Sequence, residues 1–256
     1  MKRQNNWSRE EIIVALYVYC IIPFAGRSQT NPIIIRYANL ISRTPSALNM
    51  KIGNIERLDP ELKKRNIIGL THGAKMEEHV WDEFSNDRER LVYEAEKIIE
   101  KLSNEPMEKH YLSPSELNYS SKDKLRLIKT RMNQSFFRAS VLSAYNNTCA
   151  ITRIKINELL VASHIKPWSK DKSNRLNPHN GICLNSIHDK AFDIGLITID
   201  NHYKIILSKR LKDYYSNEFI DNVFKKYEGE TILVPERFKP SQEFLTYHND
   251  VIFQGK

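Results

Sequence analysis

Val-Ala-Ser-His-Ile-Lys-Pro-Trp at 161–168 decides how this chain is read. An apolar run ends on His164, and a polar stretch opens behind it. Asn180-Gly181 closes that stretch, and Ile187-His-Asp-Lys190 follows. His164, Asn180 and His188 therefore stand in an H-x15-N-x7-H pattern. The residues between them predict a strand over 158–165, a polar loop over 166–179, a short strand over 181–184 and a helix over 186–192. Strand, loop, strand and helix would then form one small unit around three polar side chains.

That arrangement suits hydrolysis of a phosphodiester. A base must take a proton from water, a cation must stabilise charge on the phosphoryl and leaving oxygens, and the base must be held in orientation. Histidine ionises near neutrality and can be the base. A histidine on the helix can hold a metal, and an amide between the two can brace the loop. Arg138, Lys166, Lys170, Lys172 and Arg175 surround the motif and can neutralise phosphates.

Outward from the motif, 196–200 and 203–208 alternate like a hairpin with Asn201-His202 at its turn. A helix is expected over about 209–226, then an extended stretch containing prolines. Upstream, Phe136, Val141, Leu142 and Tyr145 repeat at helical spacing. Cys149-Ala-Ile-Thr152 reads as a short strand or the remnant of a knuckle. The stretch 100–128 is polar and reads as a linker.

Residues 1–99 read as helical. Ser8 and Glu11 form a capping-box pattern at the head of an apolar helix, which Pro23, too short a run and Glu10-Glu11 separate from a membrane span or secretory signal. A helix over 32–42 precedes Thr44, an N-cap with Pro45 in the first turn. The next helix is expected over 45–53, ended by Gly53-Asn54. Helix, turn, helix is the outline of a DNA-reading motif, which would present Asn49 and Lys51, with Asn54 and Arg57 beyond and Arg43 before them. A charged helix is expected over 77–100.

The 256 residues carry a net charge of +8, and 41% are apolar, enough for a packed core. Residues 1–100 hold 15 basic and 14 acidic side chains, and the remainder holds 24 and 17. The basic excess sits with the histidine motif, as a polyanionic partner requires. Cys20, Cys149 and Cys183 are scattered and no C-x-x-C occurs, so neither a disulfide framework nor a four-cysteine zinc site is implied. The expected location is the cytoplasm. A zinc deaminase is excluded by the lack of H-x-E and C-x-x-C.

From about 131 onward the chain resembles HNH endonucleases of bacterial restriction type. The resemblance rests on Arg131, Gln134, Phe137-Arg138, Tyr145, Cys149-Ala-Ile-Thr152, 162–168, Asn180-Gly181, His188, Phe192-Asp193-x-Gly195-Leu196, Ile197-Thr-Ile-Asp200 and His248. It implies an α+β protein: a helical, helix-turn-helix-like domain over 1–99, a linker over 100–128 and a ββα-metal HNH domain over 129–256. It implies cleavage of double-stranded DNA in restriction or defence, with His164 as general base, Asn180 as brace and His188 as metal ligand. One divalent cation per site is expected, Mg2+ or a similar ion, and no structural zinc. Many HNH sites place an acidic or imidazole ligand directly before the base, where this chain has Ser163, a weaker ligand. Asp193 can supply the carboxylate, with Asp189 as the alternative. One such site cuts one strand, so a double-strand break implies a homodimer.

The first hundred residues also resemble a module that precedes many HNH domains. The matching stretches are Trp7-Ser-Arg-Glu-Glu11, Asn31-Pro32, Arg43-Thr-Pro-Ser-Ala47, Lys51-Ile-x-Asn54, Leu58-Asp-Pro60 and Val80-Trp-Asp-Glu-Phe84. Two rival readings remain open. One is a nuclease that reads methylated cytosine through residues 1–100; the other is a DNA-binding regulator whose HNH site has degenerated, for which Ser163 is the motive. His72, His79, His110 and His202 are expected at the surface, and His248 in packing or hydrogen bonding.

Overall fold

The structure, a computed structural model, describes residues 6–23, 26–64 and 75–255. His72 lies outside them. The chain divides into two compact units, 1–139 and 140–256. Among the described residues no helix is long and apolar enough to cross a membrane.

The first unit is helical. Ser8 caps α1 (Arg9–Ile21), accepting from the Glu11 amide while Glu11 returns a bond to the Ser8 amide. Every residue from Ile12 to Cys20 is buried, so α1 is a central helix enclosed on all sides. Around it stand α2 (Pro32–Leu40), α3 (Pro45–Glu56), α4 (Pro60–Lys64), α5 (Lys75–Phe84), α6 (Arg88–Ser103) and α7 (Met107–Tyr111). α2 and α3 begin at Asn31 and Thr44, whose side chains take up first-turn amides.

Three boundaries differ from the sequence reading. α3 continues through Gly53-Asn54 to Glu56, because the bare face of Gly53 lets the Arg27 guanidinium pass and pair with Glu56. The charged helix expected over 77–100 is two helices, broken at 85–87, where Asp87 caps α6 through the Arg90 amide. The expected linker carries structure: α7, a 3-10 turn (Pro114–Asn118) and the start of α8 (Ser121–Ala144). Local bonds explain this order in a polar stretch. Glu100 accepts from the Met107 amide, and Arg131 of α8 forks onto the Glu116 carboxylate with two bonds of 2.6 Å. The two compact units divide inside α8 rather than at 128/129.

In the second unit, β1 (Leu160–His164) pairs antiparallel with β2 (Gly181–Asn185), His164 opposite Gly181 and Leu160 opposite Asn185. The first two residues of the expected strand form a 3-10 turn (Asn157–Leu159) instead. Asn185 ends β2 and caps α9 (Ser186–Asp193), accepting from the Ile187 and His188 amides. α9 packs back across both strands. A hairpin of β3 (Ile197–Ile199) and β4 (Ile205–Leu207) follows. The helix expected over 209–226 is three short pieces: α10 (Lys209–Lys212), α11 (Glu218–Val223) and a 3-10 turn (Lys225–Tyr227). α12 (Gln242–Tyr247) runs into a π-turn (His248–Ile252).

Gly195 joins α9 to this last segment. It has φ +71°, and a Cβ there would lie 2.1 Å from the Ile252 carbonyl oxygen. The Gly195 carbonyl in turn accepts from the Gln254 amide at 2.9 Å. Only glycine admits both the left-handed turn and the close approach of the C-terminal backbone.

Candidate active site

His164 is the last residue of β1, and the loop 165–180 folds back over it. Asn180 holds that loop. It is 1% exposed, accepts from the Lys166 amide at 2.8 Å through Oδ1 and donates to the Lys166 carbonyl at 3.0 Å through Nδ2. The Ile165 amide donates to the Asn180 carbonyl at 3.0 Å. A primary amide can satisfy a backbone donor and acceptor on one residue together, which no other side chain of this size does.

The loop so held presents the Arg175 carbonyl to His164 Nε2 at 3.0 Å. A carbonyl only accepts, so Nε2 carries the proton and the lone pair of a neutral ring lies on Nδ1. Burial pushes the His164 pKa down, which favours the neutral ring, and the Arg175 bond opposes it. Trp168 stands edge-on to His164 at 5.5 Å, and the Arg175 guanidinium lies over the Trp168 ring and donates to the Trp168 carbonyl at 2.9 Å. The loop thus builds its own rigid wall beside the imidazole.

Ser163 and His164 are consecutive strand residues, so their side chains leave opposite faces of β1. Ser163 turns toward α9. Its hydroxyl is buried and favours the charged form of Asp189, yet makes no hydrogen bond of ordinary geometry among the described residues. Asp189 and Asp193 stand four apart on α9, on one face of the helix. Partial burial raises both pKa values, and the Asp189 charge raises Asp193 further. Asp189, beside the Ser163 hydroxyl, and Asp193 one turn further on carry the kind of oxygen atoms that a hard divalent cation takes. Among the described residues no three His, Cys, Asp or Glu side chains converge, so water and phosphate oxygens would complete the coordination.

His188 is placed differently from the expectation. Its Nε2 lies 2.8 Å from the Val223 carbonyl and its Nδ1 3.1 Å from Asn185 Oδ1, with Phe224 and Tyr227 edge-on to the ring. Nε2 donates to the Val223 carbonyl, and the Nδ1 lone pair of the neutral ring lies beside Asn185 Oδ1, which already accepts the Ile187 and His188 amides. The Asn185 cap draws the ring toward the start of α9, and Asp189 takes the position facing β1. The i, i+4 spacing of Asp189 and Asp193 was the available signal for this pair.

The expected phosphate contacts divide into two sets. Lys170 and Lys172 are exposed and make no ion pair among the described residues. Arg138 is exposed on α8 of the first unit. Lys166 pairs with Asp171 at 3.0 Å, and Arg175 is committed to Trp168. On α3 the expectation fails. Lys51 is 8% exposed and its ammonium pairs with buried Glu77 of α5. Arg43 forks onto Glu11 at 2.6 and 3.0 Å and stacks on Trp7. Asn49 is half-buried, its Oδ1 enclosed. Only Ser46 and Met50 of α3 are exposed, so the helix has the order of a reading helix but not its polar outer face.

The cysteine knuckle survives without its second pair. Cys149 Sγ accepts from the Thr152 amide at 3.4 Å and the Asn185 amide at 3.3 Å, tying the turn before β1 to the start of α9. All three cysteines are buried thiols, none in a disulfide.

An antiparallel pair of strands bridged by a helix, with a braced histidine at the strand end and carboxylates on the helix, defines a ββα nuclease module. Residues 149–200 match the family model described as HNH endonuclease, so the second unit carries an HNH endonuclease domain. No curated protein matches the chain.

Proposed function

We propose that the protein is a divalent-metal-dependent DNA endonuclease of restriction or defence type, with His164 as general base. The observation that carries this reading is the His164–Arg175 bond, which sets the proton on Nε2 and keeps Nδ1 basic. A neutral imidazole held in one tautomer is the kind of base that hydrolysis of a phosphodiester requires.

In the proposed mechanism, His164 Nδ1 takes the proton of the attacking water, and the Arg175 carbonyl stabilises the imidazolium that results. Asn180 fixes the loop that carries Arg175, and Trp168 limits rotation of the ring. Asp189 and Asp193, with Ser163 beside them, would hold the cation; when bound, it neutralises charge on the phosphoryl and leaving oxygens. Lys170 and Lys172 would meet the backbone on either side of the scissile bond. His188 acts as a positioning residue that anchors α9 to the segment at Val223. One site cuts one strand, so a double-strand break would need two copies.

The test is incubation of the full chain with plasmid DNA, methylated and unmethylated, with Mg2+, Mn2+ or EDTA, beside His164→Ala. Cleavage that needs both metal and His164 is expected. DNA binding without cleavage under every condition would replace this reading with that of a non-catalytic regulator.

A further inference from the structure

α8 is a strongly basic helix. Its 24 residues hold six basic side chains and one acidic one. Lys122, Lys124, Arg126 and Lys129 make no ion pair among the described residues, and all but Lys124 are exposed. Elsewhere in this unit, cations such as Lys51, Arg9 and Arg90 are matched by carboxylates. Four cations without an ion pair among the described residues thus stand within eight positions of one helix.

A cavity of about 270 Å³ opens beside this helix, between α6 and α8. It is smaller than the roughly 300–1,000 Å³ of sites for drug-sized ligands and suits one small planar group. Tyr93 and Met132 give it apolar walls, and Asp87, Glu89 and Arg90, the last paired with Glu83 and Glu94, line its other side. Lys97 and Lys129 both place their ammonium groups over the Tyr93 ring, at 4.5 and 5.2 Å from its centre. Asn133 also lines it, is 6% exposed, and its Oδ1 has no hydrogen-bond partner among the described residues. An enclosed amide acceptor left unbonded is costly unless a ligand or solvent meets it.

We infer that this cavity is a nucleotide site, which receives one unpaired base of DNA while Lys97, Lys129 and the other α8 cations hold the flanking phosphates. The base lies against Tyr93 and Met132, and the Asn133 amide, by turning about its last torsion, meets a polar edge of the base. An aromatic wall with an amide reader and cations at the rim is the chemistry that binds unstacked nucleotides. The inference rests on the DNA-directed reading above but not on catalysis.

The experiment measures fluorescence anisotropy of full-length His164→Ala protein in EDTA. The probes are a labelled single strand, a fully paired duplex and the same duplex with one unpaired base. Tighter binding to the two probes with unpaired bases is expected. Lys122→Ala/Arg126→Ala/Lys129→Ala, all exposed positions, should weaken every probe at least tenfold and lower the salt slope by about 2 to 3. Asn133→Leu should erase the preference for unpaired bases and leave the paired duplex unchanged. Equal affinity for all three probes, or a preference that survives Asn133→Leu, overturns the site. Tyr93→Leu provides a second reading of the cavity where Asn133→Leu does not fold. Plasmid cleavage by the unmodified protein is scored separately, so a failed cavity with intact cleavage leaves the nuclease reading standing.

Discussion

His164 Nε2 lies 3.0 Å from the carbonyl oxygen of Arg175, and this bond decides which nitrogen can act. Burial lowers the pKa of the ring, and a bound cation would lower it further. The neutral form is the working form of a base. Single-turnover cleavage should rise with pH through a midpoint below about 6.5, the ordinary histidine value, and level off above it. His164→Ala should cost on the order of 10²–10⁴ in rate. A midpoint above the ordinary value would assign the profile to another group.

Asn180 bonds both backbone groups of Lys166, so its removal leaves a buried donor and acceptor without partners. Asn180→Ala should destabilise the second unit by about 1–3 kcal/mol in chemical denaturation. Asn180→Asp keeps the acceptor but sets a second oxygen against the Lys166 carbonyl in a buried position, and is expected to cost at least as much as the alanine. The loss in kcat should exceed that in KM for both variants, because the loop orients the base and does not by itself bind DNA.

Asp189 and Asp193 repel one another on α9, and partial burial disfavours both charges. Asp189→Asn should therefore raise the melting temperature of the metal-free protein slightly while abolishing the upward shift that Mg2+ or Mn2+ gives the unmodified chain. Cation binding to that chain should release protons and tighten as pH rises, because both acids must ionise to bind. A melting shift that survives in Asp189→Asn/Asp193→Asn would place the cation elsewhere.

The motif at 161–190 was legible because its cues are local. The β1 strand is apolar, Asn180-Gly181 starts β2, and α9 begins at a capping residue. The direction of the His188 ring was not, because it depends on the Val223 carbonyl, 35 positions away. α3 misled for a similar reason. Its start at Thr44-Pro45 is plain in the sequence, but what its polar residues face is set by Glu77, 26 positions beyond Lys51. Polar composition made 100–128 look like a linker, although Glu116 finds Arg131 and Glu100 finds the Met107 amide. The breaks around Asp87 and Asn217 carry capping residues that were available to read.

The Lys51–Glu77 pair separates a structural role of α3 from a DNA-reading one. Removing one partner strands a buried charge, at a cost of about 3–5 kcal/mol. Lys51→Ala should therefore lower the denaturation midpoint of the first unit strongly, and Lys51→Met/Glu77→Leu should recover most of the loss. DNA affinity of the folded double variant should match that of the parent. A folded double variant that loses DNA binding would return α3 to the interface.

His248 holds the C-terminal segment to the helix that carries Asp193. Its ring stacks on Phe192 at 3.7 Å and 7°, Nε2 donates to the Phe192 carbonyl at 3.0 Å, and Nδ1 lies 2.8 Å from the Thr198 hydroxyl. Burial lowers its pKa to about 4, against the Phe192 bond that raises it. Between that value and the unfolded value of about 6.5, the unfolded chain binds the extra proton and the folded chain does not. Stability from this residue is thus present above about 6.5 and is lost as pH falls toward 4, by on the order of 2–4 kcal/mol. His164 and His188 are shifted the same way and add to the slope. Protection of β3 and of 244–254 against hydrogen exchange, taken relative to the intrinsic rate at each pH, should fall between about pH 6.5 and 5 in the unmodified chain. His248→Gln should exchange faster at neutral pH but with a shallower pH dependence, and an unchanged slope would show that the ring is not the titrating group.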